Sequence, residues 1–132
     1  MDDKLIFEIV TPYGKVMEDK VDEVVAPGKL GEFGVLPGHA PYISMLDIGV
    51  LTFRNGTSVK KIFINSGYAD VNFERVTILS NSAELAENID VERAKKAQHR
   101  AEGRLKQADI DIQRAESAMK RALIRLDVAG KG

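Results

Sequence analysis

The chain has 132 residues, 44% of them hydrophobic, and its 19 lysine and arginine side chains nearly balance 20 aspartates and glutamates. This size suits one domain, or one domain with an appendage, and the near-zero net charge gives no reason to expect a nucleic acid partner for the whole chain. The absence of cysteine excludes disulfides, thiolate catalysis and cysteine-bound zinc, and two histidines are too few for a histidine-rich metal site.

The N-terminal residues do not have the pattern expected of a signal peptide. The stretch MDDKLIFEIV has acidic residues where a signal peptide needs basic ones. No apolar run reaches the ~18–20 residues that span a bilayer. We therefore expect a soluble, intracellular protein that meets a membrane only through a partner.

Residues 1–83 have the composition of short strands. Asn55–Gly56 lies between two apolar runs and predicts a hairpin, while Asn65–Gly67 gives a weaker turn signal. Short strands at this spacing are typical of an antiparallel sandwich or barrel. The predicted strands, rich in β-branched and aromatic residues, are Lys4–Val10, Val21–Ala26, Val50–Phe53, Val59–Ile64 and Val76–Ser80.

Residues 90–128 have the composition of helix, with no proline and many alanine, glutamate, lysine, arginine and leucine residues. The charge also changes near Ser82–Asn88. Residues 1–89 carry 8 basic and 13 acidic side chains, whereas residues 90–132 carry 11 basic and 7 acidic ones. The helical part is therefore the basic part, and it could approach an acidic surface or a polyphosphate.

A six-residue pattern occurs twice in this helical part, as IDVERA at Ile89–Ala94 and as IDIQRA at Ile110–Ala115. The two copies are 21 residues apart, which is three heptads, so equivalent residues keep the same facing. Asp90 and Asp111 are suitable N-cap residues, and Gly130 is a suitable C-terminal stop. With a short turn around Lys106–Asp109, the pattern predicts a helical hairpin.

Each predicted helix carries a narrow apolar stripe made mostly of alanine. Alanine faces bury little area, so we expect the two helices to adhere weakly and the hairpin to be able to open. At 100° per residue, the stripes are Val91, Ala94, Ala97, Ala101 and Leu105 in the first helix, and Ile112, Ala115, Met119, Ala122, Leu126 and Ala129 in the second.

The arginines repeat with the same spacings of seven and four residues, as Arg93, Arg100 and Arg104 and as Arg114, Arg121 and Arg125. Each set lies along one edge of its helix. In an antiparallel hairpin these edges can bring guanidinium groups from both helices around one anion, and guanidinium matches phosphate well. The alternative is that the arginines flank the helix interface and are otherwise solvated.

Three segments resemble the epsilon subunits of bacterial F-type ATP synthases. They are TPYGKVMEDKVDEVVAPGKLGEFGVLPGHAP with its loop Gly31–Pro41, NSGYADVNFERVTIL at Asn65–Leu79, and IDVERA, which is similar to the family's nucleotide motif I/L-D-x-x-R-A. The resemblance covers the whole chain. It agrees with an α+β fold in which an N-terminal antiparallel β-sandwich, residues 1–84, precedes a C-terminal two-helix antiparallel hairpin, residues 88–132.

The resemblance implies a non-catalytic subunit of the rotating central stalk, located peripherally at the cytoplasmic face of the bacterial cell membrane. The sandwich would bind the gamma subunit and rest on the c-subunit ring, which couples proton flow to rotation. The helices would either fold down or extend into the catalytic alpha and beta subunits, where they inhibit ATP hydrolysis. ATP, with or without Mg²⁺, would be a regulatory ligand of the folded hairpin, and no catalytic cofactor is implied.

The resemblance also assigns residues to three roles. The implied ATP site is Glu84, Ile89, Asp90, Arg93, Ala94, Arg100, Arg121 and Arg125; the implied inhibitory contact is Arg114, Lys120, Arg121 and Arg125; and the implied c-ring contact is Glu32 and His39.

Alternatives to these roles stay open for two residues. Asp90 needs no ligand if it caps a helix, and His39 could cap a turn. Two other classes of protein also stay open, a standalone nucleotide-sensing module and an adaptor with a helical tail.

Overall fold

A computed structural model describes residues 4–107 and 111–130 of the chain. The chain divides into two compact units, Met1–Glu84 and Leu85–Gly132. Residues 108–110, which include part of the predicted turn and the first residue of the second repeat copy, lie outside the described residues.

The first unit is built from strands. In space they run in the order β2-β1-β7-β6-β5-β3-β4, with β8 beside β6, and the β1–β7 pair is parallel while its neighbours are antiparallel. Each of the five predicted strands overlaps an observed one. The described strands are β1 Leu5–Thr11, β2 Gly14–Val21, β3 Glu23–Gly28, β4 Gly31–Val35, β5 Tyr42–Asn55, β6 Ser58–Val71, β7 Arg75–Ser80 and β8 Ala83–Leu85.

One continuous sheet folds over itself to make the sandwich. The long strands β5 and β6 belong to both layers, because the end of β6 pairs with β7 whereas the end of β5 pairs with β3. Phe7 on β1 and Phe53 on β5 place their ring centroids 5.2 Å apart, although their strands are not neighbours in the sheet. This contact therefore crosses between the layers and fills the core.

The predicted hairpin at Asn55–Gly56 is confirmed. Asn55 on β5 pairs with Ser58 on β6, and Gly56 has a φ of 64°. Glycine suits the first central position of a two-residue type II′ turn, which requires a positive φ.

The predicted turn at Asn65–Gly67 is instead an irregularity within β6. Ser66 has a φ of 55° and Gly67 a φ of 130°. A Cβ atom on Gly67 would overlap the carbonyl oxygen of Leu79 on β7. The buried Ser80 hydroxyl oxygen lies 2.7 Å from the Ser66 carbonyl oxygen, which ties β7 to this point. Positive φ values occur both in turns and in strand irregularities. The residues therefore correctly indicated an unusual backbone conformation, but the prediction of a turn was wrong.

The second unit contains a 3₁₀ turn, Ala86–Asn88, and two helices, α1 Val91–Leu105 and α2 Ile112–Val128. The repeat encodes their starts: Asp90 accepts a hydrogen bond from the Arg93 N–H at 3.0 Å, and Asp111 accepts one from the Arg114 N–H at 3.1 Å. Beyond the end of α2, Gly130 adopts a φ of 77°, the left-handed conformation that stops helices. Both predicted caps and the predicted stop are confirmed.

The short connection makes α1 and α2 antiparallel neighbours. Their buried stripe is largely the predicted alanine stripe, since Ala94, Ala101, Ala115 and Ala122 are each at most 3% exposed. We call these four alanines the seam. Leu105 and Ile112, which were expected to extend the stripe, are 38% and 56% exposed, because they are the last residue of α1 and the first residue of α2. The predicted fold class, a sandwich followed by a helical hairpin, is confirmed.

Candidate functional site

The arginines of both helices lie on one side of the hairpin. Arg93 and Arg100 each precede a seam alanine of α1 by one residue, and Arg114 and Arg121 do the same in α2. In an antiparallel pair, residues that precede the seam in the two helices face the same side. Arg104 and Arg125 lie ten residues after a seam alanine, and at 100° per residue this returns them to that side as well. We call this surface the arginine side.

Most of these guanidinium groups have no partner among the residues that the structure describes. Within residues 4–107 and 111–130, no side-chain hydrogen bond or ion pair engages Arg93, Arg100, Arg104, Arg114 or Arg121, whereas Arg125 does have a partner. The first four are exposed and Arg121 is half-buried. Unpaired, adjacent guanidinium groups repel one another and are well suited to bind phosphate oxygens.

The antiparallel arrangement places the arginines implied in the nucleotide site on one side of the hairpin. The first turns of α1, with Arg93, lie beside the last turns of α2, with Arg121 and Arg125. The Asp90 carboxylate is already used as the α1 cap. Ala94 belongs to the seam and Ile89 is also buried.

Glu84 is on β8 and belongs to the first unit, whereas the arginine side belongs to the second. Lys120 is exposed but lies on a different face of α2, because it is five residues from Ala115 and therefore about 140° from the seam. Of the four residues implied in the inhibitory contact, the three arginines share one side and Lys120 does not.

Of the two residues implied in the c-ring contact, Glu32 is on β4 and His39 is in the loop that follows it. Glu32 shares a face of β4 with Gly34, whereas Phe33 lies on the other face and its ring meets Tyr42 edge-on at 5.3 Å. The Tyr42 ring lies 6.3 Å from that of His39. His39 Nδ1 also lies 2.6 Å from the Ala40 carbonyl oxygen, and the His39 N–H donates to the Leu36 carbonyl oxygen at 3.1 Å.

An exposed apolar row crosses the outer face of one layer, and sequence reasoning missed it. Met45 on β5 pairs with Tyr68 on β6, Tyr68 pairs with Leu79 on β7, and Leu79 pairs with Val10 on β1. Met45, Tyr68 and Leu79 are each exposed by about half. A groove of about 490 Å³ borders the row and is also lined by Pro12 and Lys29. Contiguous exposed apolar surface of this kind marks protein interaction sites.

A charged network adjoins this row on the same face. The Glu8 carboxylate accepts hydrogen bonds from the Thr77 hydroxyl and from Arg75, both at 2.9 Å, and Lys15 lies at 3.3 Å. The Thr77 hydrogen bond, followed by the two cations, holds the pKa of Glu8 below the usual glutamate value, although partial burial opposes the shift. The network joins β1, β2 and β7.

Neither α1 nor α2 is long and apolar enough to cross a membrane. Among residues 4–107 and 111–130, no group of three or more histidine, aspartate or glutamate side chains is placed to hold a metal ion.

The two units match two family models. Residues 4–86 match the β-sandwich domain of the ATP synthase delta/epsilon chain, and residues 87–130 match the long α-helix domain of the same chain. The fold and the helical hairpin thus define the class: a two-domain chain of the ATP synthase delta/epsilon type.

Curated relatives narrow this class. The ATP synthase epsilon chains of Geotalea daltonii and Geobacter sulfurreducens are each 48% identical over 134 residues, covering 99% of this chain and 97% of theirs. That of Citrifermentans bemidjiense is 49% identical with the same coverage. The chain therefore belongs to the family of ATP synthase epsilon chains, as its sequence motifs predicted.

Two solved structures share the fold. A chain in the Euglena gracilis mitochondrial ATP synthase structure of OSCP, F1 and c-ring has a TM-score of 0.71 and 24% identity, covering 98% of this chain and 79% of that one. A chain in the Tetrahymena thermophila mitochondrial ATP synthase structure of the central stalk and c-ring has a TM-score of 0.64 and 15% identity, covering 96% of each chain.

Proposed function

We propose that this chain is a non-catalytic rotor subunit of a proton-translocating ATP synthase, and that it joins the gamma subunit to the c-subunit ring. The observation that carries the proposal is the exposed apolar row of Val10, Met45, Tyr68 and Leu79. A folded sandwich gains nothing by exposing these side chains to water, whereas a permanent partner would bury them. The central stalk named for the Tetrahymena relative is the setting in which such a partner occurs.

The second contact of the sandwich is with the c ring, through Glu32 and His39. Both belong to the glycine-rich stretch Gly31–Pro41 that carried the family resemblance. The loop is held in shape, since the Gly38 N–H donates to the Phe73 carbonyl oxygen at 2.9 Å. A loop fixed at both ends can transmit torque between two partners better than a loose one. The whole assembly would be peripheral, at the cytoplasmic face of the bacterial cell membrane.

The hairpin is the regulatory part, and ATP is its ligand. A triphosphate between Arg93 and Arg100 of α1 and Arg121 and Arg125 of α2 would relieve the repulsion along the arginine side. Because these arginines come together only when α1 and α2 are paired, ATP binds the closed hairpin better than the open one, and that difference shifts the equilibrium. ATP at about 100 times its dissociation constant adds ~2.7 kcal/mol to the closed state, which is large for a seam of alanines.

When the hairpin opens, the same arginines become available to another partner. Arg114, Lys120, Arg121 and Arg125 would then meet acidic residues of the catalytic alpha and beta subunits and inhibit ATP hydrolysis. Lys120 lies on a different face of α2 from the arginines. This position fits the inhibitory contact better than nucleotide binding, because an extended helix presents several faces to its surroundings.

A standalone nucleotide sensor is the second candidate, and the five arginines of the arginine side other than Arg125 favour it over a simple adaptor, because no side-chain partner engages them within the described residues. Truncation after residue 88 separates these functions. A rotor subunit should still co-purify with gamma in the membrane-bound complex after truncation, because its apolar row is intact. A sensor or a helical adaptor would not co-purify with gamma in that form, and this outcome would refute the rotor assignment.

A further inference from the structure

We infer that Asn55–Gly56 is a deamidation site of this chain, and that Lys4 and Asp22 keep it unreactive while the sandwich is folded. This site is independent of the proposed function, because its chemistry involves one hairpin turn and no partner of the chain. The turn and the two charged residues take no part in the apolar row or the arginine side.

Deamidation is an attack by the chain on its own side chain. The backbone nitrogen that follows an asparagine bonds to the side-chain carbon Cγ, the Cγ–Nδ2 bond breaks, and the side-chain nitrogen leaves as ammonia with the hydrogen of the attacking nitrogen. Water then opens the succinimide ring to aspartate or isoaspartate. Glycine obstructs the attack least, because it has no Cβ. Asn55 is the one asparagine of the sequence that precedes glycine, whereas Asn65 and Asn81 precede serine.

Hydrogen bonds engage each polar atom that takes part in the reaction. The attacking nitrogen of Gly56 donates to Asp22 Oδ2 at 2.6 Å. Asn55 Oδ1 accepts from Lys4 Nζ at 2.7 Å, and Asn55 Nδ2 donates to the Lys20 carbonyl oxygen at 3.2 Å. The Gly56 N–H must leave Asp22 before its nitrogen can turn toward Cγ, and Nδ2 must leave the Lys20 carbonyl before it departs.

The backbone of Asn55 is also unsuited to the reaction. Asn55 is the last residue of β5 and pairs with Ser58 on β6. Closure of the succinimide ring needs the asparagine Cβ and the glycine nitrogen nearly eclipsed about the Cα–C bond, whereas extended backbone turns these two atoms apart. The tip of the hairpin must therefore unpair before Asn55 can react.

Lys4 and Asp22 oppose this unpairing from outside the hairpin. Lys4 Nζ lies 2.8 Å from Asp22 Oδ1, so one ammonium group bridges the Asn55 side chain and the carboxylate that holds Gly56. The Lys4 hydrogen bond, followed by that of the Gly56 N–H, holds the pKa of Asp22 below the usual aspartate value. The carboxylate therefore stays ionised at the neutral and alkaline pH at which deamidation proceeds.

The products would disturb the turn that made them. Aspartate at position 55 sets a second carboxylate beside Asp22, with Lys4 as their shared cation. Isoaspartate adds a methylene group to the backbone, which shifts the register of the pair with Ser58. Deamidation therefore marks chains whose hairpin tip has opened, and it hinders the tip from closing again.

The reaction can be followed on the full-length chain at pH 8, folded or unfolded in urea, by mass spectrometry of the peptide that contains Asn55. Unfolded chains should react first at Asn55 and more slowly at Asn65 and Asn81. Folded wild type should react at Asn55 at least about tenfold more slowly than unfolded chains, because the turn must first unpair. Equal rates in the two states, or no reaction at Asn55 in urea, would overturn the inference.

Substitutions test the two guarding residues in the folded chain. Asp22→Ala and Lys4→Met should each raise the rate at Asn55 by about tenfold, the effect of losing one hydrogen bond to a charged group. Asp22→Asn keeps an acceptor for the Gly56 N–H but loses the charge, so it should raise the rate less than Asp22→Ala. Glu74→Gln is the matched control, because Glu74 is exposed on the turn between β6 and β7, and it should react at the wild-type rate.

Amide hydrogen exchange separates opening of the turn from unfolding of the sandwich. Leu51 and Ile62 are buried partners on β5 and β6, so their amides should stay protected in Asp22→Ala and Lys4→Met. Wild-type rates of deamidation in both variants would overturn the role of Lys4 and Asp22. A rise in deamidation that is matched by an equal rise in the exchange of these core amides would overturn it as well.

Discussion

Met45 on β5 and Tyr68 on β6 are direct cross-strand partners, and their side chains remain 49% and 51% exposed. Cross-strand pairs of large side chains normally stabilise a sheet by excluding water between them. Here the pair is itself open to water, and Leu79 extends it onto β7. The sandwich is complete without these contacts, so their outward faces are available to a partner.

Tyr68→Glu should therefore abolish or strongly weaken the binding of gamma while leaving the fold intact. A charge at the centre of an apolar interface loses its hydration, and a loss of tenfold or more in affinity is expected. Affinity for purified gamma and the thermal unfolding midpoint should be measured together. Val59→Glu provides the control, because Val59 is also exposed on β6 but lies outside the row. Equal effects of the two substitutions would show that the row has no special role.

Gly67→Ala should destabilise the sandwich severely. Gly67 has a φ of 130°, and its missing Cβ leaves room for the Leu79 carbonyl. Backbone strain of ~1–3 kcal/mol would add to a steric overlap that β7 cannot relieve without moving. Gly14→Ala is the matched control: its φ is 122°, but nothing lies within 4 Å of the added Cβ, so only the strain remains. Urea unfolding followed by the circular dichroism of the β-strands should give a larger loss in the free energy of unfolding for Gly67→Ala than for Gly14→Ala. Similar losses in the two variants would contradict this account.

The elements predicted from the sequence are those with local causes. Asn55–Gly56 defines its own hairpin, and Asp90 and Asp111 cap their own helices, so each is visible without knowledge of the fold. The seam alanines were predictable for the same reason, because the helical period places them on one stripe.

The elements that were missed depend on distant neighbours. β2 and β4 contain glycine and charged residues and lie at the edges of the sheet, where strand pairing rather than composition makes them strands. The apolar row could not be found because it depends on which face of β5, β6 and β7 turns outward. Met45 and Leu46 are consecutive residues and lie on opposite faces of β5. The sequence does not show which of these faces is buried, because that depends on how the sheet folds.

Glu8→Gln should reduce the dependence of stability on pH. The pKa of Glu8 is lowered in the folded chain, so its ionised form contributes stability above the usual glutamate pKa of 4.5, and that contribution is lost as the pH falls through the lower folded value. The free energy of unfolding of wild type should thus exceed that of Glu8→Gln at pH 7, and the difference should vanish in acid. Glu74→Gln is the control, since Glu74 is exposed on the neighbouring turn. A difference that persists unchanged at pH 2 would argue against an ionic origin.

Arg93→Ala should weaken ATP binding by about tenfold or more, because a charge-assisted hydrogen bond to phosphate is lost. Calorimetric titration of the full chain with ATP, with and without Mg²⁺, measures this directly. Lys96→Ala removes an exposed charge from another face of α1 and should leave the affinity nearly unchanged. Charge reversal at both Arg121 and Arg125 should weaken ATP binding and also relieve inhibition of hydrolysis in the assembled enzyme. If it alters neither, the arginine side has no regulatory role.

Ala101→Leu should open the hairpin, and Gly103→Ala should close it. Ala101 is 2% exposed in the seam, so a larger side chain forces the helices apart at a cost of ~1–3 kcal/mol. Gly103 lies two residues further on in α1, and a Cβ there meets nothing within 4 Å, so alanine gains up to ~1 kcal/mol of helix propensity. Hydrogen exchange in α2 should therefore be faster in the first variant and slower in the second. In the assembled enzyme, ATP hydrolysis should be more inhibited by Ala101→Leu and less by Gly103→Ala, because we propose that the open hairpin is the inhibitory form. If the inhibition of ATP hydrolysis does not follow the hydrogen-exchange rates of α2 in these two variants, opening of the hairpin does not regulate the enzyme.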